Sequence, residues 1–223
     1  MTLYHVLNRG VEGRSLFVDS SDHARFVHDL YVFNDVAPAP EFERRSGLSS
    51  DVGCRTSHIR KKLVEVHGWA LVRNHYHLIL EGLVEDGIPL FLKKLNGGYS
   101  HYFNERYGRK GSLFQGKTKK IPIETDAQFL YILHYVHFNG LDLFPAAKDW
   151  RLRDKGSIRN AEEALRHLES YRWSSYLDYI GKRNFPSVIT TRLFDEAYGG
   201  YARAAKEFLA SGEDESLVAL RLE

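Results

Sequence analysis

Trp69-Ala-Leu-Val-Arg-Asn-His-Tyr-His-Leu-Ile-Leu80 decides how the rest of the chain reads. Two apolar runs flank Arg73-Asn74, a plausible two-residue turn, so residues 63–72 and 75–80 read as a β-hairpin. Side chains alternate faces along a strand, which puts His75 and His77 on one face and Tyr76 on the other. Two imidazoles about 7 Å apart along a strand can meet one metal ion or one phosphate. They can equally be two packed core side chains, and the spacing alone does not separate the two readings.

Working outward, Leu3 to Asn8 alternates as a first strand that ends at Arg9-Gly10. Ser20, Ser21 and Asp22 are N-cap candidates for a helix carrying Phe26, Val27, Leu30 and Phe33. Residues 37–60 are rich in Pro, Ser and Gly and read as an inserted loop. From Ile88, apolar residues recur at three and four, giving a second helix that ends near Gly108. Gly97-Gly98 inside it is unfavourable for a helix and marks a close approach by a ligand or, more commonly, by packing. Leu113 to Glu124 reads as a strand pair or one bent strand, with Pro122 placing it at a sheet edge. Thr125 and Asp126 open a third helix that stops at Gly140. Later come helical pieces at 161–168, after Trp173, at 193–198 and at 201–209, with an extended stretch at 185–190.

The order is strand, helix, two strands, helix, strand, then helices. This is an α+β fold with a ferredoxin-like antiparallel sheet, helices on one face and a C-terminal helical extension. The expected division is a core of residues 1–181, with residues 182–223 as the extension.

Charge bounds the function weakly. There are 31 Lys and Arg against 29 Asp and Glu, a net +2, so a nucleic-acid site has to be a local patch. Residues 106–120 supply one, and the tail from Glu207 is acid-rich. The single cysteine, Cys54, excludes an intramolecular disulfide and a thiolate zinc cluster. No apolar run reaches membrane-span length and the first residues do not read as a secretion signal, so a soluble, cytoplasmic protein is expected.

The third helix carries the second constellation. Phe129, Ile132, Leu133 and Val136 share one face, and Tyr135 and Asn139 lie four apart beside it. Tyr135 can be a packed aromatic with Asn139 as a helix cap. It can also be a nucleophile, with the Asn139 amide joining the two histidines around a metal.

These residues carry a resemblance. His75-Tyr-His77 followed by Leu-Ile-Leu resembles the histidine-hydrophobic-histidine motif of single-tyrosine HUH transposases. Leu133-His-Tyr135-Val-His-Phe-Asn139 resembles their nucleophile helix, most closely in the REP-associated tyrosine transposases. Tyr4-His5-Val6, Asn8-Arg9-Gly10, Gly111-Ser-Leu-Phe-Gln-Gly116 and Trp173-Ser-Ser-Tyr176 follow the same order, so the resemblance spans residues 1 to about 181. It implies a ferredoxin-like enzyme that cuts and rejoins single-stranded or hairpin DNA. Tyr135 matches the nucleophile, His75 and His77 match metal ligands, and Asn139 matches the usual third ligand, for Mg²⁺ or Mn²⁺. The family usually has Asn-Pro where this chain has Asn139-Gly140. Arg9, Arg109, Lys110, Lys117, Lys119 and Lys120 have the chemistry to hold backbone phosphates. Family members work as monomers or homodimers. Tyr99, Tyr102, Tyr107 and Phe114 could stack bases, although packing is the commoner use of such side chains.

Two other classes stay open on the sequence: a DNA-hairpin-binding regulator that no longer cuts, and a metal-dependent hydrolase of small phosphoesters.

Overall fold

The computed structural model describes residues 2–39, 60–147, 150–152, 158 and 160–210. Most of the expected inserted loop, Cys54 and the end of the acidic tail lie outside the described residues.

Four strands, β1 (Leu3–Arg9), β2 (Val64–Val72), β3 (His75–Gly82) and β4 (Lys119–Ile123), form one antiparallel sheet in the order β2-β3-β1-β4. Helix α1 (Ser20–Val32) connects β1 to β2, and α2 (Gly87–Arg106) connects β3 to β4. This is the expected ferredoxin-like topology. Arg73-Asn74 is the hairpin turn, and β4, with Pro122, is a sheet edge.

Helices cover both faces of the sheet rather than one. Alternation in β3 explains this: Tyr76, Leu78 and Leu80 pack with Phe26 and Leu30 of α1 and Phe91, Leu95 and Tyr99 of α2. On the other face, Ile79, Ala70 and Leu3 pack with Leu133 and Val136 of α3 (Asp126–Phe138). The C-terminal helices α4 (Ala161–Ser170), α5 (Tyr176–Tyr179), α6 (Arg192–Tyr198) and α7 (Tyr201–Ala210) complete this second core. The strands are therefore apolar on both sides, and each face needs its own cover.

Local chemistry sets the helix ends. Asp19, one residue before the expected caps, accepts from the Ser21 and Asp22 amides and starts α1. Asp22 is instead buried, where it accepts from the Val18 amide, the Tyr102 and Tyr107 hydroxyls and the Arg106 guanidinium. Thr125 and Gln128 close a reciprocal capping box at the start of α3. Residues 185–190 differ from expectation: 186–188 form a turn, and Thr190 meets β2 through its amide at the Val66 carbonyl, its carbonyl at His67 Nδ1 and its hydroxyl at Glu65.

Gly98 shows why the second helix tolerates its glycines. A Cβ there would lie 2.2 Å from the Phe33 ring at the end of α1, so the gap admits only hydrogen. Gly97 meets nothing within 4 Å.

Candidate active site

The site is built on the sheet face that α3 covers. His75 and His77 both point there, and Tyr76 points away, its hydroxyl donating to Asn96 of α2 at 2.9 Å. The pairing of β1 with β3 sets His5 opposite Ile79 and Leu7 opposite His77, so His5 shares the histidine face. His5 Nε2 and His77 Nδ1 are 2.9 Å apart, and their rings stack at 5.1 Å and 7°. His75 meets His77 edge-on at 4.8 Å, and its Nδ1 lies 2.7 Å from Asn74 Oδ1. Three imidazoles thus occupy one patch where the hairpin alone supplied two.

Burial is the main force on His77 and holds its pKa well below the ordinary histidine range. The neighbouring His5 and His75 imidazoles and the Arg151 and Arg9 guanidiniums act in the same direction. His77 is therefore a neutral imidazole at physiological pH.

Helix α3 brings Tyr135 onto this patch within the same chain. The Tyr135 ring stands edge-on to His5 at 5.7 Å and to His77 at 5.8 Å. Gly68 on β2 leaves room on this face: a Cβ there would come within 2.7 Å of Ile79 Cδ1 on β3 and 3.2 Å of Leu133 Cδ1 on α3. His137 ties the same helix down. Its two ring nitrogens bond the Tyr201 hydroxyl of α7 and the Ser175 hydroxyl, each at 2.8 Å, and Ser175 accepts from the Trp69 amide of β2.

Asn139 is fully buried at the end of α3. Its Nδ2 donates to the Tyr135 carbonyl at 2.7 Å, and its Oδ1 accepts from the Arg151 guanidinium. This bears on the expected metal set. Neutral His77 suits a cation, but the Asn139 oxygen that would be the third donor is held by another cation. Among the described residues, no three His, Cys, Asp or Glu side chains are placed to hold a metal ion. In this arrangement Asn139 Oδ1 is engaged by Arg151, while His75 and His77 meet ring to ring beside Tyr135.

Arg151 has no counterpart in the sequence reading. The chain leaves α3 through a 3-10 turn (Asn139–Leu143) and returns Trp150 and Arg151 over Tyr135. The Trp150 ring lies 5.7 Å from that of Tyr135, and its Nε1 donates to Asp142 at 2.9 Å. Arg151 pairs with Asp142, and its guanidinium carbon is 4.4 Å from the Trp150 ring centre and 5.7 Å from that of Tyr135. Its pKa is raised overall. Burial opposes this, while the Asp142 carboxylate and the Tyr135 phenol favour the charged form. His5 was equally illegible as a site residue, because only the strand register shows which histidine it faces.

The expected phosphate-binding residues divide. Arg9 is exposed and pairs in register with His75, while Lys119 pairs with Leu7, so both lie on the histidine face. Lys120 pairs with Val6 and lies on the other face. Arg109 turns back onto α2 and donates to Asn104 Oδ1 at 2.9 Å. Lys110 and Lys117 are exposed on the loop between α2 and β4. Of the candidate stacking aromatics, Tyr99 and Phe114 are buried, and Tyr102 and Tyr107 are bonded to Asp22.

Among the described residues no helix is long and apolar enough to cross a membrane. No protein-family model and no curated protein matches the chain. Among solved structures, the chain is similar to a REP-associated tyrosine transposase bound to a REP hairpin, at 9% identity and a TM-score of 0.49, over 85% of each chain.

Proposed function

We propose that this chain is a DNA transesterase of the single-tyrosine HUH type, which cuts single-stranded or hairpin DNA through Tyr135. The observation that carries the reading is the seat of Tyr135 against His5 and His77 in one chain. Arg9 and Arg151 act on the same patch and favour an anionic substrate there.

The chemistry follows from the nucleophile. The Tyr135 oxygen bonds to phosphorus as the P–O3′ bond breaks, leaving a 5′-phosphotyrosine and a free 3′-hydroxyl. The proton lost by the phenol is matched by the one the 3′-oxygen gains. One phosphodiester replaces another, so a later 3′-hydroxyl can reverse the step without ATP. The target must be unpaired at the cut, because in-line attack needs access to phosphorus. The resemblance carries Mg²⁺ or Mn²⁺ with it. The neutral His77 supports that cofactor, and the hold of Arg151 on Asn139 weighs against it.

The test is a labelled hairpin oligonucleotide with single-stranded flanks, incubated with and without Mn²⁺ and run on a denaturing gel. A covalent adduct is expected from the native chain and none from Tyr135→Phe. Cleavage that survives Tyr135→Phe would overturn the mechanism. Tight binding with no adduct from the native chain would instead favour the hairpin-binding regulator.

A further inference from the structure

We propose that the Arg151 guanidinium, held beside the Tyr135 phenol by Asp142 and Asn139, binds the phosphodiester that Tyr135 attacks. The inference rests on the reading of Tyr135 as the nucleophile and adds a residue to it. A guanidinium carries five N–H donors in a fixed plane that matches two phosphate oxygens. Asp142 accepts from Nη1 and Asn139 from Nη2 of Arg151, which fixes the plane, and each of these nitrogens carries a second N–H. Trp150, itself buried, lies 4.4 Å from the guanidinium carbon and stiffens it by a cation–π contact. A third of the Arg151 side chain remains exposed, so an oligonucleotide has access.

Its surroundings select an anion. Asp142 is the only carboxylate paired with Arg151 among the described residues, and Arg9 adds a second positive charge near His77. An in-line attack needs a positive charge at the non-bridging oxygens next to the attacking atom, and the Arg151 guanidinium carbon lies 5.7 Å from the Tyr135 ring centre. Because the fork is anchored before substrate arrives, little ordering remains when the phosphate binds.

Two measurements test this. The first is the affinity of a labelled single-stranded oligonucleotide in the Tyr135→Phe background, followed against salt. Adding Arg151→Gln should weaken binding by about tenfold, the effect of one charge-assisted contact, and lower the log–log salt slope by about 0.7, one phosphate on a single strand. The second is the rate of adduct formation with Tyr135 intact. Arg151→Gln should slow it by about a hundredfold or more, and Arg151→Lys should restore part of the loss. If affinity, salt slope and rate all stay within threefold of native, Arg151 is structural and the proposal fails. If the native chain forms no adduct but the binding arm behaves as stated, the phosphate site stands and the cleavage reading falls. Should Arg151→Gln unfold, the native chain answers instead. Oligonucleotide should protect Arg151 from an arginine-specific dicarbonyl reagent, read by peptide mass, and equal labelling with and without it would overturn the site.

Discussion

Gly97 and Gly98 offer a clean test of the packing logic, because neighbouring positions of one helix should respond oppositely to the same change. Replacing either glycine by alanine removes backbone freedom from the unfolded chain, a gain of about 1 kcal/mol in a helix interior. At Gly97 nothing lies within 4 Å of the new methyl, so the gain should stand almost alone. At Gly98 the methyl would sit 2.2 Å and 2.3 Å from two atoms of the Phe33 ring, more than an ångström inside normal contact. Phe33 is buried at the end of α1 and bears on the α1–α2 packing, so the ring cannot simply swing away. Overpacking of this kind costs about 1–3 kcal/mol, and this overlap belongs at or above the upper end. The net effect is a loss of about 2 kcal/mol after the helix gain. For a chain of this size, Gly97→Ala should raise the melting temperature by about 2–4 °C and Gly98→Ala should lower it by about 4–8 °C. Thermal unfolding followed by far-UV circular dichroism measures both. Adding Phe33→Leu to Gly98→Ala should recover part of the loss, since the two sites share one gap. Equal shifts for the two alanines, in either direction, would refute the account of the α1–α2 contact.

Other outcomes follow from the same structure. Burial holds His77 and His137 neutral, with folded pKa values below the ordinary range, so the unfolded chain binds more protons below about pH 6.5. Stability should be complete above that value and fall as pH drops toward the folded values, by up to about 1.4 kcal/mol per pH unit for each histidine. Urea titrations at several pH values measure the slope, and His137→Gln should remove one proton from it. At neutral pH, His137→Phe should cost about 1–3 kcal/mol, because the buried Tyr201 and Ser175 hydroxyls lose their partner; a change under 0.5 kcal/mol would argue against the anchoring of α3. Thr125→Ala should cost about 1 kcal/mol through the lost cap, with Thr125→Ser close to native. Lys119→Ala should weaken oligonucleotide binding and lower its salt slope, whereas Lys120→Ala, on the opposite sheet face, should do neither. Equal effects would show that DNA does not follow the histidine face.

Much of the architecture was legible because it is local. Apolar runs on either side of Arg73-Asn74 and three-four spacing over residues 88–103 and 129–136 report which segments turn inward, whatever they face. The hairpin turn and the cap at Thr125 are chemistry of adjacent residues and appear where the chain implied, while the edge strand with Pro122 is shorter, residues 119–123 of the expected 113–124. Tyr135 and the His75–His77 pair could also be singled out, since each is a short motif on one element.

What the chain alone could not decide depends on partners distant in sequence. His5 faces His77 only because β1 pairs with β3 in one register, and a slip of one residue would turn it to the other face. Helices on both faces follow from each face of the strands being apolar; the continuous apolar runs at 69–72 and 78–80 carry that signal, but which helix covers which face is set by the tertiary fold. Arg151 lies in a polar segment with no period at all. It reaches the site because the turn after α3 folds back, Trp150 packs against Tyr135, and Asp142 and Asn139 hold the guanidinium. Sequence determined which side chains could do chemistry. The tertiary fold decided which of them share a patch, because strand register and loop return are set by long-range packing.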